Sequence, residues 1–323
     1  MAMPTLEGVR KKYPHVCIEA LARPWVAPLL RDHPALNGLM IWERKGLFRS
    51  MFRVAGMMRK RAYDLAVLMP NSFRTALLAF LGGARVRTGY SSNGRGWLLT
   101  HPLTRDHRAC SLHMVEYYLE IVRAIGIQPE KSAPKLHVSQ QKKDWAAQFF
   151  HNCGIEAHQV VVGILPGAQN SNAKMWLPAR FAQLADSLVE KCDARVVFFG
   201  GAGDMERINQ VREQMHRPSV NLAGKVPLES LAAAIERCNV FVSNDTGPMH
   251  VASAVGIPVV AIFGPTDPRI TAPGGGPCTI VQASVPCAPC GKRNCDRKME
   301  CMQEISTEKV FRAVEWHMKA RRQ

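Results

Sequence analysis

Residues 241–268, FVSNDTGPMHVASAVGIPVVAIFGPTDP, read as strand, turn, helix and strand in one run. A short apolar stretch ends at Val242, and a polar turn follows. Asp245 and Thr246 stand where N-cap residues belong, and Gly247 lets the backbone come close to a ligand. Pro248 suits the first helical turn, where its missing N–H costs nothing, and His250 follows on that turn. The pattern predicts a helix over 248–255 and a second strand, PVVAIF, closed by Gly264, Pro265 and Thr266. A strand, a covering helix and a strand imply two parallel neighbours in a sheet. The turn between them leaves N–H groups free at the positive end of a helix dipole, a setting that attracts phosphate. In an open parallel sheet the ligand sits at the carboxyl edge, where both loops lie. Taken by themselves, Asp245 and Thr246 read equally well as plain helix caps.

The same alternation continues upstream. VVVGIL, from Val160, leads into the loop PGAQNSNAKMW, which holds Gly167, Ala168 and Lys174 before a helix starting near Pro178. Gly167 permits close backbone approach, and Lys174 offers a mobile cation. The loop lacks the G-x-x-x-x-G-K-[ST] spacing, so it is not a Walker phosphate cradle. RVVFFG then ends in Gly201, Ala202, Gly203 and Asp204. An acid after a glycine-rich strand end holds ribose hydroxyls in some folds and merely favours a helix N-terminus in others. VNL is followed by AGKVPLESL, where Val226 lies in the loop and Leu228, Leu231 and Ile235 are core positions.

The first half shows the pattern of a parallel sheet with covering helices. A helix over 1–13 precedes the strand VCIEALA, a helix around PWVAPLLRDHP, the strand GLMIW and a long basic helix over 47–61. LAVLMP, a helix over 72–81 and a helix over 107–125 follow. Between the last two, RVRTGYSSNGRGWLLTHPL is basic, with Tyr90 and Trp97 interleaved. Its Arg87, Arg95 and His101 are candidate contacts for phosphate or carboxylate, since arginine forms forked, charge-assisted bonds to both; solvated hairpin charges are the other reading. QPEKSAPK, 128–135, is linker-like, and we place the domain boundary near Ala157, giving domains 1–156 and 157–323.

Of 323 residues, 47% are hydrophobic and 21% charged, the balance of a soluble globular chain. No apolar run approaches the roughly 18–20 residues that span a bilayer. The start, MAMPTLEGVRKKYP, has no signal-peptide apolar region, so a cytoplasmic location is expected. A formal net charge of +16 and a pI near 9.7 call for an anionic partner or serve only solubility. No nucleic-acid motif accompanies the charge, so nucleic acid is not expected among the partners. Cys278, Cys287, Cys290, Cys295 and Cys301 are clustered near the C-terminus. Cys287, Cys290, Cys295 and Cys301 make a zinc candidate, with a spacing short for a zinc ribbon. A structural knot or a redox-sensitive loop is the competing reading. The segment 306–322 is a basic amphipathic helix capped by Ser306, expected to pack, with an anionic membrane surface as the other option.

D-T-G-x-x-H, a small-residue helix, a proline-led strand and F-G-P-T stand here as Asp245, Thr246, Gly247, His250, Pro258, Phe263, Gly264, Pro265 and Thr266. This run resembles the donor-site signature of the lipopolysaccharide heptosyltransferases, glycosyltransferase family 9. The resemblance extends to about Val314, and the tail is most similar to the heptosyltransferase II branch. It implies an α/β GT-B fold, two facing Rossmann-like domains with a cleft between them, the acceptor bound by 1–156 and the donor by 157–323. It implies inverting transfer of heptose from ADP-L-glycero-D-manno-heptose to the lipopolysaccharide inner core, with heptosyl-Kdo-lipid A as acceptor and no required metal or other cofactor. The enzyme would work as a peripheral protein at the inner face of the cytoplasmic membrane. Donor binding would fall to Gly167, Ala168, Lys174, Asp204, Val226, Asp245, Thr246, Gly247 and His250. Lys174 with Trp176 matches the family's lysine-x-tryptophan, with the lysine on the donor diphosphate and the tryptophan packed under the loop. Asp204 or Glu206 would hold the ribose, and Val226 and Pro227 would line the adenine pocket. The family carries an upstream strand ending in a G-D turn just before a segment similar to AMPTL, and that aspartate is its proposed general base. The earliest acid here is Glu7. Either Met1 is an internal methionine and the aspartate lies upstream, or the chain binds a nucleotide sugar without turnover; the catalytic base is unassigned.

Overall fold

Apolar runs too short for helices pair here as parallel strands, and the amphipathic stretches between them cover their faces. The computed structural model describes residues 1–43, 47–130, 132–169 and 171–320. The chain divides into two compact units, Met1–Pro134 and Lys135–Gln323. The boundary expected near Ala157 falls inside the second of these. The helix Gln140–Asn152 packs there against Leu231–Glu236, with Lys143 Nζ 2.9 Å from Glu236 Oε1. The break comes instead at the end of the proline-containing stretch 128–134.

In the first unit the helix Met3–Lys12, with Pro4 in its first turn, precedes β1 (Glu19–Ala22) and β2 (Gly38–Ile41). The helix Leu47–Arg61, β3 (Leu65–Val67), the helix Phe73–Leu81, β4 (Val86–Ser91) and β5 (His101–Thr104) follow. The strands form two parallel sheets, β1–β2 and β3–β4–β5, where the alternation predicts one. Among the described residues β1 pairs only with β2, and β3 only with β4. The carboxylate of Glu19, at the start of β1, accepts hydrogen bonds from Arg61 and Tyr63 just before β3, tying the amino ends of the two sheets together. The helix predicted over 107–125 is two helices, His107–Ser111 and Met114–Arg123. Asp106 caps the first by accepting from Ala109 N, and the His113 ring caps the second by accepting from Val115 N. A capping side chain at position 113 thus ends one helix and begins another.

In the second unit β6 (Val161–Leu165), β7 (Arg195–Phe198), β8 (Val220–Asn221), β9 (Val240–Asn244), β10 (Val259–Phe263) and β11 (Cys278–Gln282) make one parallel sheet in the order β11-β10-β9-β6-β7-β8. Every residue of β6, β9 and β10 is buried, which is why β6 and β10 read as apolar runs and β9 does so until Ser243 and Asn244. The helix Pro178–Cys192 covers one face through Phe181, Leu184 and Leu188. The C-terminal helix Thr307–Ala320 packs on that helix and buries Val310, Phe311 and Val314; Ser306 caps it by accepting from Lys309 N at 3.2 Å. Residues 321 and 322 of the predicted helix lie outside the described residues.

Candidate functional site

From β6 the chain steps outward to β7 and β8, then returns to the other side of β6 as β9 and steps outward again to β10 and β11. The loops after β6 and β9 therefore leave neighbouring strand ends in opposite directions. That switch point opens a crevice at the carboxyl edge of the sheet, the usual ligand position in an open α/β fold. Gly167, Ala168 and Lys174 follow β6, Asp204 follows β7, Val226 follows β8, and Asp245, Thr246, Gly247 and His250 follow β9. All nine predicted donor residues thus lie in loops or helix starts along one edge of one sheet.

The centre of this edge is held by Asn244, at the end of β9, which is wholly buried. Its Nδ2 donates to Pro166 O at 2.8 Å and Gly167 O at 3.3 Å, and its Oδ1 accepts from Trp176 N at 3.0 Å. One amide side chain therefore fastens the β6 loop at two points. Lys174 hangs between them and reaches Asp245, Nζ to Oδ2 2.7 Å, with the Asp245 side chain only 6% exposed and Lys174 26%. Asp245 was read from sequence as a helix cap; in the structure its carboxylate pairs with Lys174 instead. Thr246 is the N-cap of the helix Gly247–Ala254, yet its hydroxyl makes no capping bond. The Lys174 ammonium thus stands beside the start of the helix Gly247–Ala254, where Pro248 has no N–H and Met249 N donates to Thr246 O at 3.2 Å. His250 is half-buried in that first turn.

Trp176 sits beneath the loop as expected, fully buried against Phe181, its Nε1 donating to Ile305 O at 3.1 Å. Asp204 faces the same edge but is engaged, Oδ2 accepting from Gly201 N at 2.8 Å. Its other oxygen fills the space where a side chain on Gly167 would begin. Gly167→Ala must push Asp204 aside and is expected to cost about 1–3 kcal/mol of stability. Gly203, with nothing near its missing Cβ, is the control: Gly203→Ala should stay within about 0.5 kcal/mol in the same urea titrations. Glu206 is exposed, and Val226 is half-buried in a loop tied to the β7 loop by Gly224 N donating to Gly200 O at 3.0 Å.

Two residues of this edge were missed by the sequence reading. Asn244 is one; an amide closing a buried strand was its only signal. The other is Arg207, whose Nη2 donates to Trp176 O at 2.8 Å while burial lowers its pKa from the ordinary arginine range.

The cysteine-rich segment braces the edge from outside. Cys290 N and Gly291 N donate to Pro265 O at 2.9 and 2.7 Å, while Arg293 O accepts from Ser171 Oγ at 2.9 Å and Ala173 N at 3.2 Å. It therefore clips the β10 loop to the β6 loop. No three of the sulfurs of Cys287, Cys290, Cys295 and Cys301 lie within 4.8 Å of one another. The Cys301 thiol is pushed up, first by burial and then by Cys287, Cys295 and Cys290; burial pushes Cys278 up to about 12.

The three predicted acceptor contacts fare differently. Arg95 is wholly buried. Its Nε donates to Tyr90 O at 2.8 Å, Nη1 to Pro70 O and to Thr75 Oγ1 at 3.3 Å, and Nη2 to Asn71 Oδ1 at 3.2 Å. The expectation that it faces an acceptor is therefore overturned: its fork is spent on backbone carbonyls that would otherwise be orphaned. Arg87 is half-buried, donating Nε to Leu98 O at 2.7 Å and lying over the Phe80 ring at 5.4 Å. His101 is exposed at the start of β5. Tyr90 is buried and stacks on Tyr117 with centroids 4.0 Å apart, whereas Trp97 is 70% exposed beside Phe73 and Phe80.

Residues 51–300 match the family described as glycosyltransferase family 9 (heptosyltransferase). The chain is 32% identical over 294 residues to lipopolysaccharide heptosyltransferase 2 of Escherichia coli K12, covering 84% of this chain and 81% of that protein. The structure of E. coli ADP-heptose lps heptosyltransferase II superimposes with a TM-score of 0.86 at 26% identity, covering 100% of this chain and 95% of that one. The glycosyl transferase family 9 protein from Veillonella parvula gives 0.87 at 26% identity, over 99% and 93%.

Proposed function

Since the chain belongs to glycosyltransferase family 9, the heptosyltransferases, we propose that it moves heptose from ADP-L-glycero-D-manno-heptose to heptosyl-Kdo-lipid A in the lipopolysaccharide inner core. Its fold is of the GT-B class, and it is a glycosyltransferase whose relatives act in lipopolysaccharide core assembly. The observation that carries the finer reading is the Lys174–Asp245 pair beside the first turn of Gly247–Ala254. On this reading the donor diphosphate lies at the switch point, with the helix-end N–H groups and the Lys174 ammonium around it.

The chemistry asks for three things: a base at the acceptor hydroxyl, one open face of the anomeric carbon, and stabilisation of departing ADP. On this reading the β9 turn and Lys174 supply the last, by offering donors where charge grows as the glycosidic bond breaks. Asp245 holds the ammonium in place while it waits for the diphosphate, and Asn244 keeps the loop at the right height. His250 serves as a phosphate donor on the same turn. Asp204 and Val226 would meet ribose and adenine, although Asp204 must exchange its bond to Gly201 N to do so. His101 and Arg87 would meet acceptor charge from the first unit, while the base stays unassigned. Positioning of donor and acceptor accounts for much of the remaining acceleration.

The test is release of ADP from ADP-heptose in the presence of heptosyl-Kdo-lipid A, with Kdo-lipid A and UDP-glucose as comparison substrates. Turnover is expected with the heptosylated acceptor and the ADP-sugar alone. Tight ADP-heptose binding with no ADP release would instead assign the chain to nucleotide-sugar binding without turnover. Failure to bind ADP-heptose at all would overturn both readings.

A further inference from the structure

We propose that the outer face of the helix Leu47–Arg61 seats the protein on an anionic phospholipid bilayer; this rests on the reading that the acceptor is a membrane glycolipid. The inner face of the helix buries Met51, Val54, Ala55 and Met58 against Met40, Trp42 and Leu78. The outer face is Arg49, Phe52, Arg53, Met57 and Lys60, spaced at three and four residues, so they share one side of the helix. Phe52 is 58% exposed and Met57 39%. Large apolar side chains left in water within a row of cations are the composition of a helix that lies in a membrane interface.

Charge complementarity selects the occupant. The helix contains no acidic residue. Arg59, seven residues on from Phe52, and Arg61 are engaged within the protein, Arg59 donating to Leu81 O at 2.6 Å and Arg61 pairing with Glu19. Among the described residues Arg49, Arg53 and Lys60 have no ion pair, so they are open to a counter-charge from outside. The C-terminal helix, which the sequence marked as the other membrane candidate, differs on this point: Arg312 pairs with Glu308 and Lys319 with Glu315. Cations already paired with carboxylates gain less from an anionic surface, whereas the outer face of Leu47–Arg61 gains from each cation. No helix among the described residues is long and apolar enough to cross a membrane, so the attachment is peripheral.

The experiment is co-sedimentation of the full chain with phosphatidylcholine vesicles with and without phosphatidylglycerol, beside turnover on detergent-dispersed acceptor. Binding should require phosphatidylglycerol. Arg53→Ala and Lys60→Ala should each weaken it about fivefold. Phe52→Ser with Met57→Ser should weaken it about tenfold or more, because apolar burial adds to the charge term. Melting temperature and turnover on dispersed acceptor should be kept by all of these variants. Vesicle binding unmoved by every substitution would overturn the proposal. So would an effect of the cations without one of Phe52 and Met57, which would mark a site for soluble phosphate; loss of turnover on dispersed acceptor would place the helix in the acceptor site instead. Self-association lost in the Phe52→Ser, Met57→Ser variant would replace the bilayer by a second copy of the chain. If heptose transfer fails but vesicle binding responds as stated, the membrane face stands and the assignment of substrate falls.

Discussion

Lys174→Ala is expected to lower kcat/KM for ADP-heptose by about 10²–10³-fold and to weaken ADP binding by about tenfold. Two effects act in the same direction. The ammonium that would meet the diphosphate is removed, and the Asp245 carboxylate, 6% exposed, loses its cation. A phosphate approaching the β9 turn then meets a bare anion where a balanced pair stood. The double variant Lys174→Ala, Asp245→Asn separates the two: it removes the repulsion but not the missing cation, so its ADP affinity should fall between parent and single variant. Asp245→Asn by itself frees Lys174 for the ligand and should not weaken ADP. Losing the pair also costs stability, about 1–3 kcal/mol for a partly exposed lysine and a buried acid, so the titrations belong well below the melting temperature. Isothermal calorimetry with ADP and steady-state rates are the measurements. Values for Lys174→Ala within about twofold of the parent in both would remove the phosphate role of this edge.

What could be read from sequence here, and what could not, divides by distance along the chain. The strand–turn–helix–strand of 241–268 was legible because caps, glycine, proline and apolar runs act on their neighbours, and the structure places β9, Gly247–Ala254 and β10 there. The direction of the Asp245 side chain was not, because its partner Lys174 arrives from another strand end 71 residues away. Asn244 was passed over for the same reason: both carbonyls it grips belong to the β6 loop. Composition gave Arg95 a solvent role, since arginine is seldom buried, and only the three-dimensional convergence of Pro70, Tyr90 and Asn71 shows why this one is. The cysteine spacing suggested a metal, but the segment spends its backbone on clipping Pro265 to Ser171 and Ala173. The split of the first unit's strands into two sheets is likewise a matter of pairing, which alternation of apolar runs does not encode.

Arg95→Ala is expected to be the most destabilising single change argued for the first unit, at about 3–5 kcal/mol. Arg95 has no exposed surface and, from the segment between β4 and β5, its guanidinium satisfies Tyr90 O, Pro70 O, Asn71 Oδ1 and Thr75 Oγ1. Truncation removes the Arg95 donors from Tyr90 O and Asn71 Oδ1, leaves Pro70 O only the Thr75 hydroxyl at 3.2 Å, and opens a buried space. Burial lowers the Arg95 pKa from its ordinary value, yet the group stays charged, so carbonyl dipoles and not a carboxylate balance it. Arg95→Lys should recover only part of the loss, because one ammonium cannot span carbonyls on three sides as the planar fork does. Gly89→Ala tests the same packing from the other direction: its new methyl would stand 3.0 Å from Leu68 O and 3.2 Å from Arg95 Nη2. Urea unfolding followed by circular dichroism is the measurement, with ADP affinity of the folded fraction as the second readout. A structural role lowers the unfolding midpoint and leaves ADP affinity and acceptor KM alone. A role in holding acceptor raises KM with the midpoint unmoved, and an Arg95→Ala protein as stable as its parent to within about 0.5 kcal/mol would return this arginine to the surface reading.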